Sequence, residues 1–164
     1  MATRLLVSDL LTRLGATRRE RLGVPIEVSL TQASIAGEAM LDVQLAGIGD
    51  GILVRGTASV TVRYACNRCL TEWDENLEVG IDQVYRVEPE DIDTEMVVDA
   101  TGWIDVGATV HDEIILALQP VPLCAPDCRG LCPECGTDLN TEPCAGHGDA
   151  SSSPFAALEH LFDS

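Results

Sequence analysis

The sequence predicts an α+β fold: a strongly twisted antiparallel sheet, a meander able to curl toward a barrel, covered by one helix. A cysteine-rich, zinc-binding loop ties it off, and a short helix closes the C-terminal end. Three observations carry this reading. Between Pro25 and Val87 apolar residues recur at every second position, in runs split by turn residues, which is the pattern of strands with one wet face. One later stretch changes to a helical period. Five of the seven cysteines and one of the three histidines fall in residues 123–148.

The 164 residues suit a single domain with a sizeable core. Its parts are an N-terminal arm (1–23), sheet and helix (24–122), the zinc-binding loop (123–148) and a tail helix (149–164). Aromatic residues make up only 4%, so the core must be mostly aliphatic. All ten basic residues are Arg, and the formal charge is −17. Residues 1–21 carry a net +3 through Arg4, Arg13, Arg18, Arg19 and Arg21 against Asp9 and Glu20, leaving −20 for the rest. Such a surface repels phosphate backbones. It fits a basic partner protein, or RNA contact confined to the Arg-rich stretch, better than broad nucleic-acid binding. Asp9 interrupts the only apolar part of the first residues, so no secretory leader is read there. No stretch reaches the ~20 apolar residues of a membrane span. The expectation is a cytoplasmic protein without membrane contact, where reduced thiols point to metal rather than disulfides.

The arm carries Leu5, Leu6, Leu10, Leu11 and Leu14, which suit either a short helix or an extended arm docked on the body. Arg18-Arg19-Glu20-Arg21 reads as a polar loop, and Arg18, Arg19 and Arg21 are the candidate RNA contacts. Strands are expected from Pro25 (Ile26, Val28, Leu30), around Leu41, Val43 and Leu45, from Ile52 to Tyr64, and from Leu77 to Val87. Asp50-Gly51 marks a turn, and Gly56 a bulge. An acidic loop follows over residues 88–95, then a short strand at 96–98. Asp105 is a good N-cap for a helix over 105–119, with Val106, Val110, Ile114, Ala117 and Leu118 inward and Pro120 and Pro122 ending it. His111, Asp112 and Glu113 fall on its polar face and read as solvated. Pro154 opens a short amphipathic helix carrying Phe155, Leu158, Leu161 and Phe162. No internal repeat is read.

Four ligand pairs stand out: Cys66/Cys69, Cys124/Cys128, Cys132/Cys135 and Cys144/His147. Soft ligands at such spacing suit tetrahedral zinc, one or two ions. Cys66-Asn-Arg-Cys69 lies between strand-like runs, at a hairpin tip, unlike the strand-to-helix setting of a thioredoxin-like pair. Cys132-Pro-Glu-Cys135-Gly136 is the strongest local signal, and Cys144 and His147 complete a compact site with it. Cys66 and Cys69 then join Cys124 and Cys128 across a long loop. Two other divisions of the pairs remain open. Four-ligand sites leave no position for water, so they favour structure over catalysis.

The CNRCL hairpin tip, the run DEIILAL-Q-P-VPLC, the C-x3-C-x2-CG-x-DLN segment and a closing PFAAL helix resemble the YceD family over most of the chain. The resemblance implies a bacterial cytosolic protein, not an enzyme, needed for accumulation of the large ribosomal subunit's 23S RNA. Its gene commonly lies beside that of a small basic ribosomal protein of the large subunit. Some members keep the first Cys-x-x-Cys and lack the later cluster, which makes the Cys66/Cys69 site the older unit. Gln119 departs from the usual Leu before Pro120, and His147 stands where many relatives offer a Cys.

The expected function is thus ribosome biogenesis: support of 23S rRNA accumulation, processing and large-subunit assembly. The partner would be the subunit precursor, through its RNA or a basic ribosomal protein. A zinc-thiolate redox or metal sensor is the alternative. A zinc hydrolase would need an incomplete site beside Glu113 or another carboxylate.

Overall fold

In the computed structural model, which describes residues 3–87 and 96–147, four long strands form one antiparallel meander. They are β2 (Thr17–Ser29), β3 (Ala33–Ile48), β4 (Gly51–Ala65) and β5 (Glu72–Arg86), in the spatial order β2-β3-β4-β5. The sheet stays open among the described residues, since β2 and β5 do not pair; the curl does not become a barrel. The arm combines both expected forms. It starts as β1 (Arg4–Leu6), which pairs with β6 (Trp103–Asp105), and continues as a one-turn helix α1 (Ser8–Leu11). The covering helix is α2 (Val106–Ala117). The acidic loop at 88–95 and the closing helix over 149–164 lie outside the described residues.

The two-residue period places one face of the sheet in the core. Val24, Ile26 and Val28, then Leu41, Val43 and Leu45, then Ile52, Val54, Val60, Val62 and Tyr64, then Val79, Ile81 and Tyr85 are all buried. Against them α2 lays Val106, Val110, Ile114 and, just past its end, Leu118. Ala117 is exposed instead, one step round the helix. The Asp105 carboxylate accepts from Gly107 N–H at 2.9 Å, so the expected cap forms. His111 and Asp112 are exposed and 3.2 Å from each other.

Three local expectations change. Gly56 is not a bulge: its pairing with Val43 and Ile81 is regular. A Cβ there would lie 2.1 Å from the Asp42 carbonyl oxygen, so glycine is needed for close backbone approach. The irregularity lies in β3, between Ser34 and Met40. Residues 96–98 form a single parallel bridge, Arg86 with Val97, rather than a strand.

Third, β2 starts eight residues before Pro25. Residues 18–21 are strand, not loop: they pair in register with β3, and charged cross-strand contacts stand in place of an apolar alternation. Arg19 donates to both Asp42 oxygens, at 2.8 and 3.0 Å, and Arg21 shares the same carboxylate. Arg18 donates to Asp9 at 2.8 Å and to the Leu6 carbonyl at 2.6 Å, fastening the arm to the sheet.

The hydrogen bonds from Arg19, then those from Arg21, hold the Asp42 carboxyl down at about 2. A carboxylate depressed in the folded state contributes stability above its ordinary value of ~3.9, lost as pH falls through the folded value. Replacing Arg19 and Arg21 together by Ala should raise the Asp42 value toward ~3.9, read by carboxyl NMR titration. An unmoved titration would show that the arginines do not hold the carboxylate.

Candidate metal centres

Two groups of ligand atoms converge, each with all four atoms within 4.8 Å of one another: Cys66, Cys69, Cys124 and Cys128, and Cys132, Cys135, Cys144 and His147. The first group joins the β4–β5 hairpin tip to the segment after α2. Cys66, Cys69 and Cys128 are buried and Cys124 exposed. Trp73, Leu123 and Leu131 pack around these sulfurs. The second group is more open, with Cys132 buried, Cys144 half-buried and Cys135 exposed. Arg18, Arg19 and Arg21 belong to neither.

Each group is built on the same turn, a repeat hidden in Cys-x-x-Cys-x-Thr. The first cysteine's N–H donates to the threonine carbonyl, Cys66 to Thr71 at 2.9 Å and Cys132 to Thr137 at 2.8 Å. The residue after the second cysteine donates back to the first, Leu70 to Cys66 at 3.0 Å and Gly136 to Cys132 at 2.9 Å. That residue is left-handed in both, with φ of 61° at Leu70 and 74° at Gly136. Glycine adopts this readily, whereas leucine does so at a cost of about 1–2 kcal/mol. The threonine hydroxyl then lies beside the second sulfur, 3.2 Å at Cys69 and 3.1 Å at Cys135. Each turn thus points two sulfurs the same way.

The distances fit a tetrahedral ion. Metal–sulfur bonds of ~2.3 Å imply sulfur–sulfur edges of about 3.8 Å, far beyond the ~2.05 Å of a disulfide. Cys66–Cys128 is 3.8 Å and Cys69–Cys124 3.5 Å. Cys132–Cys144 and Cys135–Cys144 are each 3.7 Å. His147 Nε2 is closer, 3.2 Å from Cys132 and 2.9 Å from Cys144, so that corner would have to open to hold an ion.

The groups are partly charged for the task. Burial pushes the Cys66 thiol up, but N–H groups of Cys124, Cys69 and Arg68 outweigh it and bring it to about 6. The Thr137 hydroxyl, then its N–H, brings Cys135 to about 6. Cys124 is pushed up to about 12, first through the Cys69 sulfur that shares its proton. Each turn thus holds one sulfur biased toward the thiolate, and an ion held by the first group would displace the Cys124 proton. His147 is raised, first by its contact with Cys132.

Sequence reasoning missed the supporting side chains. Arg68 donates to the Cys128 carbonyl at 2.7 Å, and its own carbonyl accepts from Leu131 N–H at 3.0 Å. Glu134 Oε2 lies 3.4 Å from His147 Nδ1, the outer partner that orients a ligating imidazole. Asn140, in the loop between Cys135 and Cys144, supports the first group. Its amide donates toward Cys128 Sγ at 3.5 Å, while its Oδ1 accepts from Arg129 N–H at 2.8 Å. It is seated by Asp138, whose carboxylate accepts from Asn140 Nδ2 at 2.7 Å, and Asp138 itself bridges to Leu131 beside the second turn. The only signal in the sequence was the DLN that follows the second Cys-x-x-Cys-Gly.

Residues 54–162 match the family described as "Large ribosomal RNA subunit accumulation protein YceD". The chain is 33% identical over 132 residues to uncharacterized proteins of Mycobacterium tuberculosis and Mycobacterium bovis, covering 75% of this chain and 62% of theirs. An uncharacterized protein of Mycobacterium leprae is 33% identical over 124 residues, covering 71% of this chain and 55% of its own. The chain thus spans less than two thirds of the length of these relatives. No solved structure matches.

Asn140→Ala should weaken ion binding at Cys66, Cys69, Cys124 and Cys128 about tenfold and leave the second group nearly unchanged. Asn140→Asp keeps the acceptor for Arg129 but sets a carboxylate beside Cys128, and should weaken it further. Cobalt titration followed by thiolate charge-transfer absorption reads both. Equal affinities in all three proteins would remove Asn140 from the site.

Proposed function

The chain belongs to the YceD family, and on that footing we propose that it is a non-enzymatic ribosome-biogenesis factor. It supports accumulation and processing of 23S rRNA and assembly of the large subunit, with two zinc ions as structural ties. Family membership is the observation that carries this reading. The site chemistry agrees with it: four protein ligands per ion leave no open position for a reacting water. His111 and Asp112, the residues most suggestive of catalysis, are exposed on α2, and among the described residues they partner only each other. Among the described residues no helix is long and apolar enough to cross a membrane.

Of the two routes to the large subunit, contact with a basic ribosomal protein is the better supported. The chain's charge of −17 repels RNA. The arginines expected to offset it, Arg18, Arg19 and Arg21, are engaged with Asp9 and Asp42, so phosphate would have to displace carboxylates already in place.

A second reading, a zinc-thiolate redox sensor, draws on the exposure of Cys135 and half-exposure of Cys144 in the second group. It predicts that mild peroxide releases about one ion per chain, from that group, at concentrations where ordinary structural zinc proteins keep theirs. A dye-based zinc-release assay measures this, and full retention would end the sensor reading.

For the assembly reading, the tagged protein should sediment with large-subunit precursors in gradients from growing cells, and a basic ribosomal protein should co-purify after nuclease treatment. Protein confined to the top of the gradient, with no ribosomal component attached, would overturn the assembly reading. Loss of all ribosomal material on nuclease treatment would favour RNA as the direct partner.

A further inference from the structure

The open edge of β5 has a definite pattern of free backbone groups. At its end, Arg86 N–H donates to the Met96 carbonyl at 3.1 Å and the Arg86 carbonyl accepts from Val98 N–H at 2.9 Å. Arg86 therefore faces away from β4. At the other end the Thr71 carbonyl, just before β5, accepts from Cys66 N–H and so faces inward. The register between these ends is unbroken, from Gly51 with Arg86 to Ala65 with Glu72. Alternation then turns the N–H and C=O groups of Glu72, Asp74, Asn76, Glu78, Gly80, Asp82 and Val84 outward. Among the described residues none of these has a backbone partner on that side.

The edge is competent to pair. Residues 96–98 already add to it at Arg86, in parallel. Proteins commonly guard an exposed edge with charged side chains or Pro; here the charges are nearly all acidic, which disfavours an acidic strand but not a basic one. β5 carries Glu72, Asp74, Glu75, Glu78 and Asp82 against Arg86 alone. Asp74 and Asp82 are shared with Arg63 and Arg55 of β4, but Glu72 and Glu78 form no ion pair among the described residues. The opposite edge differs. β2 contains Pro25, so it is guarded against an added strand, and its arginines are already paired with carboxylates.

We propose that the free edge of β5 from Glu72 to Val84 receives an extended, Lys/Arg-rich polypeptide segment as an added β-strand. Main-chain hydrogen bonds supply the pairing, and the carboxylates select a basic segment. This rests on the assembly reading only for the source of the segment, a basic chain of the large subunit; the recognition itself follows from the edge.

Gly80 provides a clean test. Its N–H faces outward, and a Cβ built there meets nothing within 4 Å. Gly80→Pro therefore removes an edge donor without removing a ladder bond to β4. The probe is a fluorescein-labelled peptide alternating Lys and Val, about twelve residues long, which spans the edge at ~3.3 Å per residue. Fluorescence anisotropy on the full chain should show salt-sensitive binding, and hydrogen exchange should show new protection over residues 72–84. Gly80→Pro should weaken binding about tenfold with an unchanged melting temperature. The same peptide carrying N-methyl groups on alternate backbone nitrogens should fail to bind the unaltered protein, whatever the fate of the variant.

Equal binding of the N-methylated peptide would overturn the proposal, reducing the contact to charge alone. So would protection elsewhere than β5, or tight binding of a large-subunit RNA fragment with none of the peptide. Failure of the edge while the protein still travels with subunit precursors would overturn this proposal and spare the assembly reading. Edge binding by a protein that never meets ribosomal particles would do the reverse.

Discussion

Four sulfurs from distant parts of the chain must meet at the tip of one hairpin, and much of the structure is arranged around that meeting. Cys69 and Cys124 are 55 positions apart, and Cys66 and Cys128 are 62 apart. Bringing such distant points together is costly for an unfolded chain, and an ion that binds only the closed form offsets that cost. The sheet prepares the closure. Tyr85 donates to the Asp105 carbonyl at 3.0 Å and lies 2.6 Å from the Thr109 hydroxyl, which seats the start of α2. Tyr64 receives Gln119 N–H at 3.5 Å beyond its end. Both tyrosines stand on the core face of the hairpin that carries Cys66 and Cys69. The helix is thereby aimed at the tip, and Pro122 completes the approach by accepting Asn67 N–H at 2.9 Å.

The second group of ligands depends on the first. Its turn rests on the Arg68 carbonyl through Leu131, and Asn140 reaches back to Cys128. An ion in the second group would order the loop that places Asn140. The sites are thus neighbours in energy as well as in space, with the buried one as foundation and the open one as buttress. Burial also separates their chemistry, because an exposed thiolate such as Cys135 meets oxidants that Cys66 does not.

The electrostatics of the sheet are equally asymmetric. On β2 the arginines are consumed by Asp9 and Asp42, so the basic stretch acts as internal fastening and leaves little positive surface. On β5 the carboxylates outnumber the bases, at an edge whose backbone groups remain open among the described residues. For the assembly role proposed above, this distribution of charge suits a polycationic protein better than polyanionic RNA.

The strands after Pro25, the capped helix at Asp105, the hairpin placement of Cys66 and Cys69 and the metal-like spacing of all eight ligands were legible in the sequence, because each is a local pattern of periodicity, capping or ligand spacing. The strand through residues 18–21 was not, since charged residues paired across strands show no apolar alternation. Nor was the role of Gly56, which answers to the backbone of a neighbouring strand. The shared turn of the two cysteine groups escaped notice because leucine in one and glycine in the other occupy the same left-handed position. The division of the pairs that spacing favoured, with two others left open, is the one the structure brings together; which sulfurs are buried, how Asn140 reaches Cys128 and which edge stays open among the described residues were decided by tertiary structure alone. These depend on distances between residues far apart in the chain, which packing determines and sequence spacing does not.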